Sequence, residues 1–593
     1  MEKIIDLINN EMAAAFDKCG YDKAAAVVSV SNRPDLCEYQ CNGAMRLAKA
    51  LGKAPIEIAS DVAGVLSDST VFETAEAVKP GFINLNLSGS FLSDYIKRMA
   101  ADSSCGAIKE ENPEKIIIDY GGPNVAKPLH VGHLRSAVIG EAIKRMGRFC
   151  GNEVIGDVHM GDWGLQMGLI ICQCQDKGID PVYYDEDYQG EYPSEAPFTA
   201  AELEEIYPAA SARSKEDAAF HDRALKATAE LQSGRRGYNA LLSHILEVSV
   251  ADMKKNYERL NVDFDLWLGE SDAQKYVPDM LKKMEDDGYA HEDQGALVVD
   301  VAEESDSKEI PPCIVRKSDG ASLYATTDLA TLVQRVNDYD PDHVIYVVDK
   351  RQQMHFTQVF RAAKKCGIVS PDMKLDFLGF GTMNGKDGQP FKTREGGVMK
   401  LSVLIDEIDE AMKEKILDNK KEQNADIDEE EVVKTARTVA LAALKYGDLS
   451  NQATKNYIFD IDRFTSFEGN TGPYILYTIV RIKSILRKYQ AEGGAVDPSC
   501  ILEPADANEK ALMNELTGFN GVMLTAFREL APHKICSFVY SLSNAFNHFY
   551  HETKIMGQED KARQSSQIAL LDLTRRVLES CIDVLGFSAP EYM

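Results

Sequence analysis

Between Ile116 and Gly151 the sequence passes from a β-branched run, through a glycine and proline break, into a long amphipathic repeat. Few arrangements other than strand, loop and helix on a buried sheet accommodate that order. Ile116, Ile117 and Ile118 are apolar toward both faces of an extended chain, as a central parallel strand is. Gly121, Gly122 and Pro123 end the run. After them Val131, Leu134, Val138, Ala142, Met146 and Phe149 recur at steps of three or four, one face of a helix, which Gly151 closes as a C-terminal cap would.

His130 and His133 fall in the first turn of that helix, on one side. Unpaired backbone N–H groups and the positive end of the helix dipole there favour an anion. Gly132, lying between them, has no Cβ and lets a flat base or a phosphate approach the backbone. By itself such a short pattern also reads as two exposed polar residues at a helix start.

The surrounding residues carry a resemblance. Pro128-Leu129-His130-Val131-Gly132-His133 resembles the nucleotide-binding signature of class I aminoacyl-tRNA synthetases, and the longer run from Gly122 to Ser136 resembles that of the arginyl-tRNA synthetases. Further segments match in the same order: His159 to Gln166, Ser322 to Asp328, Asp349 to Gln352, and Phe467 to Tyr474. The resemblance implies an ATP-dependent ligase that activates L-arginine to arginyl-adenylate and transfers it to the 3′ end of its cognate tRNA, releasing pyrophosphate and AMP. Mg²⁺ is expected to accompany ATP, and no dedicated protein cage for it is evident.

Length and composition agree with that reading. The 593 residues suit three or four domains, and 44% hydrophobic with 27% charged content is ordinary globular material. No apolar run approaches membrane-spanning length and no basic-then-apolar leader follows Met1, so a cytoplasmic protein without membrane contact is expected. Twelve cysteines are scattered with no C-x-x-C pair, which argues against structural zinc and a disulfide framework. A net charge of −29 spread evenly would oppose a nucleic-acid partner, but it is unevenly distributed. Residues 176 to 222 hold 13 acidic and 3 basic side chains, whereas residues 451 to 593 hold 17 and 14. A local basic surface is therefore compatible with the total.

Three units are expected along the chain. Residues 1–112, with helical periodicity from Ile4 to Phe16 and alternation from Phe82 to Leu87, form an N-terminal α+β module. Residues 113–450 alternate strands, such as Ile116 to Asp119 and His343 to Val348, with helices. That is a Rossmann-like α/β domain with a parallel sheet, interrupted by an acidic insertion at about 170–300. Residues 451–593 lack strand signals and form an all-α helical bundle, with helices at Tyr474 to Tyr489, Leu512 to Leu530, Cys536 to His551 and Ile568 to Leu585.

In an open parallel sheet, ligands bind beyond the carboxyl ends of the strands, where strand order reverses. ATP would lie over loop 120 to 133, with His130 and His133 donating to phosphate oxygens beside Gly132 and Lys127 adding a mobile positive charge. Catalysis is then mostly positioning and charge stabilisation, and no nucleophilic side chain is needed. Where the family carries a K-M-S-K-S loop, this chain has Gly388 to Gly397, with Lys392 and Arg394 as its basic residues at a different spacing. The resemblance suggests that Lys127 supplies part of the missing charge. The same residues also read as an ordinary surface turn.

For arginine, a planar guanidinium calls for carboxylates placed for a forked contact. Asp119 and Asp328 match acidic positions that the family uses for this, Tyr324 would flank the guanidinium, and Asn124, Gln352 and His133 match positions around the amino-acid head group. Taken singly, Asp119 also reads as a turn residue and Asp328 as a helix cap. The resemblance further implies that the C-terminal bundle reads the anticodon, that Phe82 and Asn84 contact the outer corner of tRNA, and that tRNA must be bound before arginine is activated. Phe82 reads equally as a core residue of an alternating strand. A monomer is expected. Two rival readings are a different adenylyl-transferring enzyme of the same superfamily and a noncatalytic RNA-binding descendant.

Overall fold

The computed structural model describes residues 1–318, 323–389, 399–422 and 428–593. Its N-terminal part holds an antiparallel sheet of β1 (Val28–Val30), β2 (Tyr39–Cys41), β3 (Phe72–Val78) and β4 (Phe82–Leu87), in the order β1-β2-β4-β3. In β4 the predicted alternation is present: Ile83, Leu85 and Leu87 are fully buried, while Phe82, Asn84 and Asn86 lie half-buried on the other face. Phe82 is therefore not a core residue of this sheet. Helices Ile4–Lys18, Pro55–Leu66 and Gly89–Ala101 share the sheet's apolar core.

The central sheet begins with β5 (Lys115–Tyr120), crosses through helix Val131–Phe149, and returns as β6 (Glu153–Asp157). The helix spans the predicted residues, and Gly151 follows its end at φ +100°. The chain then leaves the sheet. Helices Leu165–Asp176, Ala200–Glu216, Ala218–Gln232 and Arg236–Arg259 pack against one another, followed by a small antiparallel sheet of β7 (Ala290–Asp293), β8 (Ala296–Val299) and β9 (Cys313–Arg316). The excursion thus runs somewhat past the predicted limit near 300. Helix Tyr324–Tyr339 leads back into β10 (His343–Asp349), and helix Gln353–Lys365 leads into β11 (Lys374–Phe380).

All pairings in this sheet are parallel, in the order β11-β10-β5-β6. The first strand, β5, therefore lies between β6 and β10, and the chain winds outward in both directions from it. The connections leaving the carboxyl ends of β5 and β10 run apart, which opens a crevice between them. Ser136 ties its two sides together, accepting from the Gly121 N–H at 2.8 Å and donating to the Val347 carbonyl at 2.6 Å.

A two-residue strand, β12 (Met383–Asn384), pairs in parallel with β13 (Tyr457–Ile458). This corrects the expectation of no strand beyond residue 451, since so short a pairing leaves no periodicity to read. The C-terminal part is otherwise helical, comprising Gly472–Ala491, Ala507–Thr517, Phe519–Arg528, Pro532–Glu552 and Lys561–Val584 as its main helices. The single helix expected from Leu512 to Leu530 is two, divided at Gly518. The break at a poor helix former lets Leu512, Met513 and Leu516 on one side, and Phe519 and Met523 on the other, all be buried. No helix among the described residues is long and apolar enough to cross a membrane. The cysteines are free thiols, buried or half-buried.

Candidate active site

The crevice between β5 and β10 gathers most of the residues singled out in the sequence. Asp119 lies within β5, Asn124, Lys127, His130 and His133 on the loop and first helical turn after it, Tyr324 and Asp328 on helix Tyr324–Tyr339, and Gln352 just after β10. That helix runs toward the amino end of β10, so its first turns lie at the carboxyl edge of the sheet. Phe82 and Asn84 belong to the N-terminal sheet instead. Lys392 and Arg394 lie outside the described residues.

His130 is the N-cap of its helix, and its Nδ1 accepts from the Gly132 N–H at 3.1 Å. The His133 Nδ1 in turn accepts from the His130 N–H at 3.1 Å, and the two rings stack with centroids 3.9 Å apart. An imidazole whose Nδ1 accepts a backbone N–H carries its proton on Nε2, so both rings present an Nε2–H donor. Burial holds both below the ordinary histidine range, His133 down to about 3, with the nearby Lys127 charge adding to the effect. They are neutral, oriented donors at physiological pH.

Gly132 has a role beyond leaving space for a ligand. A Cβ there would stand 2.8 Å from His130 Cε1 and 2.9 Å from its Nδ1, so the imidazole already fills that space. Gly161 is required in a similar way, because a Cβ would fall 2.1 Å from Asn124 Oδ1. Around it, the Val125 N–H donates to the Gly161 carbonyl at 3.1 Å and Gln166 Nε2 to the same carbonyl at 2.9 Å, joining the loops after β5 and β6.

The residues after the undescribed 390–398 segment return directly to the histidines. The Val131 N–H donates to the Met399 carbonyl at 3.0 Å and the Leu401 N–H to the Leu129 carbonyl at 2.9 Å. Arg135 of the histidine-bearing helix donates from Nη1 to the carbonyl of Gly381, just after β11, at 2.7 Å and from Nε to Asp448 at 3.0 Å. Lys127 lies with its Nζ 4.5 Å from the Tyr207 ring centre.

The carboxylates differ from expectation. Asp119 is not a turn residue: it is buried in β5, and its Oδ2 already accepts from Arg335 Nη2 at 2.6 Å. The same Nη2 donates to Asp157 Oδ2 at 2.7 Å. Asp119, Asp157 and His159 stand close enough together to suggest a metal centre, but the guanidinium already supplies the positive charge between the two carboxylates. Asp328 is not a helix cap either. The capping side chain is Thr326, whose Oγ1 accepts from the Leu323 N–H at 2.9 Å, while Asp328 accepts from His355 Nε2 at 2.5 Å. Tyr324 is 73% exposed, at the mouth of the site.

Two residues here escape the sequence reading. His355 orients Asp328. Glu270 enters because the loop after β6 pairs with the stretch that follows helix Arg236–Arg259: the Met160 N–H donates to the Leu268 carbonyl at 2.9 Å and the Glu270 N–H to the Met160 carbonyl at 3.0 Å. Burial, then repulsion from Asp162 and Asp328, pushes the Glu270 carboxyl up to about 8. No local pattern marks either residue, and Glu270 belongs to a span that reads as an insertion.

A parallel sheet with neutral histidine donors on a helix N-terminus beyond its carboxyl edge describes a nucleotide-binding enzyme, and the family described as tRNA synthetases class I (R), catalytic domain, matches residues 96–461. The fold and the site thus define a class I aminoacyl-tRNA synthetase. The arginyl tRNA synthetase N terminal domain family matches residues 2–87, and the DALR anticodon binding domain family matches residues 475–593. The arginine–tRNA ligases of Agathobacter rectalis and Alkaliphilus oremlandii are 60% and 56% identical to the chain, each over the full length of both proteins. The chain belongs to the arginyl-tRNA synthetase family. Solved structures of arginyl-tRNA synthetases from Plasmodium falciparum and Thermus thermophilus share its fold, with TM-scores of 0.79 and 0.77 over the whole of each chain at 23% identity.

Proposed function

We propose that this chain activates L-arginine with ATP and transfers it to the 3′ end of tRNA(Arg), and that the observation carrying the specificity is the acidic pair of Asp328 and Glu270. A carboxyl that burial and then the neighbouring charges of Asp162 and Asp328 push up, as they do Glu270, calls for a cation. Arginine's planar guanidinium suits them, with His355 fixing the Asp328 rotamer and Tyr324 closing over the outer side. Asp119, with one oxygen committed to Arg335, is left with a single acceptor and suits the compact α-ammonium, beside Asn124, Gln352 and His133. Lysine or citrulline would leave a carboxylate unmatched.

With the amino acid so held, its carboxylate oxygen attacks the α-phosphorus of ATP in line as the bond to the bridging α,β oxygen breaks. Pyrophosphate leaves, and no side chain takes or gives a proton. His130 and His133 donate from Nε2 to the phosphate oxygens, stabilising charge that grows on the leaving group. Lys127, together with Lys392 and Arg394, supplies positive charge to pyrophosphate. The residues that follow the stretch of Lys392 and Arg394, 399–401, pair through their backbone with 129–131 beside the histidines. A terminal ribose hydroxyl of tRNA then attacks the arginyl carbonyl, the bond from that carbonyl to the phosphate oxygen breaks, and the hydroxyl proton leaves with the phosphate of the departing AMP. The cluster of Asp119, Asp157 and His159 does not suit Mg²⁺, since Arg335 bridges its two carboxylates; Mg²⁺ would come with ATP.

In this reading residues 1–112 contact the outer corner of tRNA through the half-buried face carrying Phe82 and Asn84, residues 113–450 hold the chemistry, and residues 451–593 read the anticodon. An exposed or half-exposed aromatic can stack on an unpaired base. On the same reading the protein acts as a monomer in the cytoplasm, without zinc. Pyrophosphate exchange across the amino acids is the test. Exchange with arginine, and only when tRNA is present, is expected; no exchange with arginine under either condition overturns the assignment.

The Glu270 carboxyl makes a second test. Because its proton must leave before the guanidinium binds, arginine affinity should rise with pH up to about 8 and level off above it. The KM for arginine is expected to fall about tenfold between pH 7 and 8.5. In Glu270→Gln the KM should stay high and lose that dependence, whereas an unchanged slope removes Glu270 from the pocket.

A further inference from the structure

Arginine carries two cationic ends, and the crevice offers an acidic group to each. A substrate bound backwards would put its carboxylate in the wrong place, so the site must tell the ends apart. The device for this lies behind Asp119.

Asp157, Asp119 and Tyr346 are directly paired neighbours across β6, β5 and β10. Over this row lies Arg335 of helix Tyr324–Tyr339, 1% exposed, with its guanidinium carbon 5.3 Å from the centre of the Tyr346 ring. Nη2 donates to both Asp119 and Asp157, and among the described residues Nε and Nη1 have no hydrogen-bond partner. All the hydrogen bonding of this buried guanidinium to the protein is thus directed at the two carboxylates. Side by side and buried, they would otherwise repel one another and draw a proton. Arg335 sets a positive charge between them, although burial still holds the Asp119 carboxyl above its ordinary range, and it fixes which Asp119 oxygen remains for the site. No step of the chemistry above uses it.

We infer that Arg335 is a positioning residue for substrate orientation: by occupying Asp119 Oδ2 it leaves one oxygen, enough for the α-ammonium of arginine and too little for a guanidinium fork. Asp119 then rejects the guanidinium end, which goes to Asp328 and Glu270, and the arginine carboxylate is turned to the ATP phosphates. The inference rests on the reading of Asp119 as the α-ammonium site.

The test compares L-arginine with δ-guanidinovalerate, which has the guanidinium and carboxylate but no α-ammonium, measuring binding of each to the full chain with ATP and tRNA present, alongside exchange kinetics. In Arg335→Met, L-arginine binding should weaken on the order of 30-fold. Binding of δ-guanidinovalerate and the KM for ATP should change less than about threefold, and kcat should fall because part of the bound arginine lies reversed. Arg335→Lys, which restores the charge, should recover part of the L-arginine affinity. Asp119→Asn should weaken L-arginine selectively, and Arg335→Met added to it should cost little more, since both act on one contact. Equal loss of both ligands and of ATP in Arg335→Met would mean a merely structural residue and overturn the inference, as would unchanged L-arginine binding. If Arg335→Met does not fold, Arg335→Lys and Asp119→Asn decide: an Arg335→Lys chain that binds both ligands as the wild type does, with kcat unaltered, also overturns it. Should Asp119→Asn alter both ligands equally, the α-ammonium reading of Asp119 fails, independently of Arg335.

Discussion

Asp328→Ala is expected to raise the KM for arginine by ~10³-fold while the KM for ATP changes by less than about threefold. The size follows from what the substitution leaves behind. Asp328 accepts from His355 at 2.5 Å and shares its pocket with Glu270, so its removal strips the guanidinium of one charged partner and leaves His355 without its acceptor. In the proposed arrangement ATP lies on the helix N-terminus at His130 and His133 and touches neither group. Separate titrations of exchange rate against arginine and against ATP check this. Equal losses of both would mean that Asp328 supports the crevice as a whole, and the arginine assignment at that position would fall.

His130→Ala and His133→Ala are each expected to lower kcat for exchange by ~10²–10³-fold, the usual consequence of removing one oriented donor from a developing negative charge. Their pH behaviour separates oriented donation from simple positive charge. Burial keeps His133 neutral down to about 3 and holds His130 below the ordinary histidine range, so neither ring gains charge as pH falls from 8 to 7. Exchange at saturating arginine should therefore show no acid-side gain in rate from these rings, and a histidine-dependent increase toward pH 6 would contradict the neutral-donor mechanism. Stability carries the matching sign. A histidine with a folded pKa below its unfolded value leaves the native state binding fewer protons, so its contribution is present above about 6.5 and is lost as pH falls toward 3. The His133→Asn chain should lose less stability on acidification than the wild type.

Local features were legible ahead of the fold. The β5 strand, the helix Val131–Phe149 and the alternation in β4 follow from periodicity, which any window of a dozen residues displays. The split at Gly518 and the pairing of Tyr457–Ile458 with Met383–Asn384 were not legible, because the first depends on what each half buries and the second on a partner far along the chain. The site shows the same division. Asp119, Asn124, Lys127 and the two histidines lie together in sequence and remain together in space. Glu270 and His355 reach the crevice only through the pairing of 268–270 with Met160 and through the packing of helix Gln353–Lys365, and neither has a local mark.

By itself the sequence determined that a strand, loop and helix would present His130 and His133 at a helix N-terminus, and its family resemblance supplied the substrate. These depend on side-chain spacing and on backbone donors that every helix start leaves unpaired. Only the tertiary structure decided the chemical state of those residues. Burial keeps the histidines neutral with Nε2–H outward, and Arg335, 216 positions away, occupies one oxygen of Asp119. Charge state and the vacant hydrogen-bonding position are set by what surrounds a group in space, and that is assembled from distant segments only when the sheet and its covering helices close together.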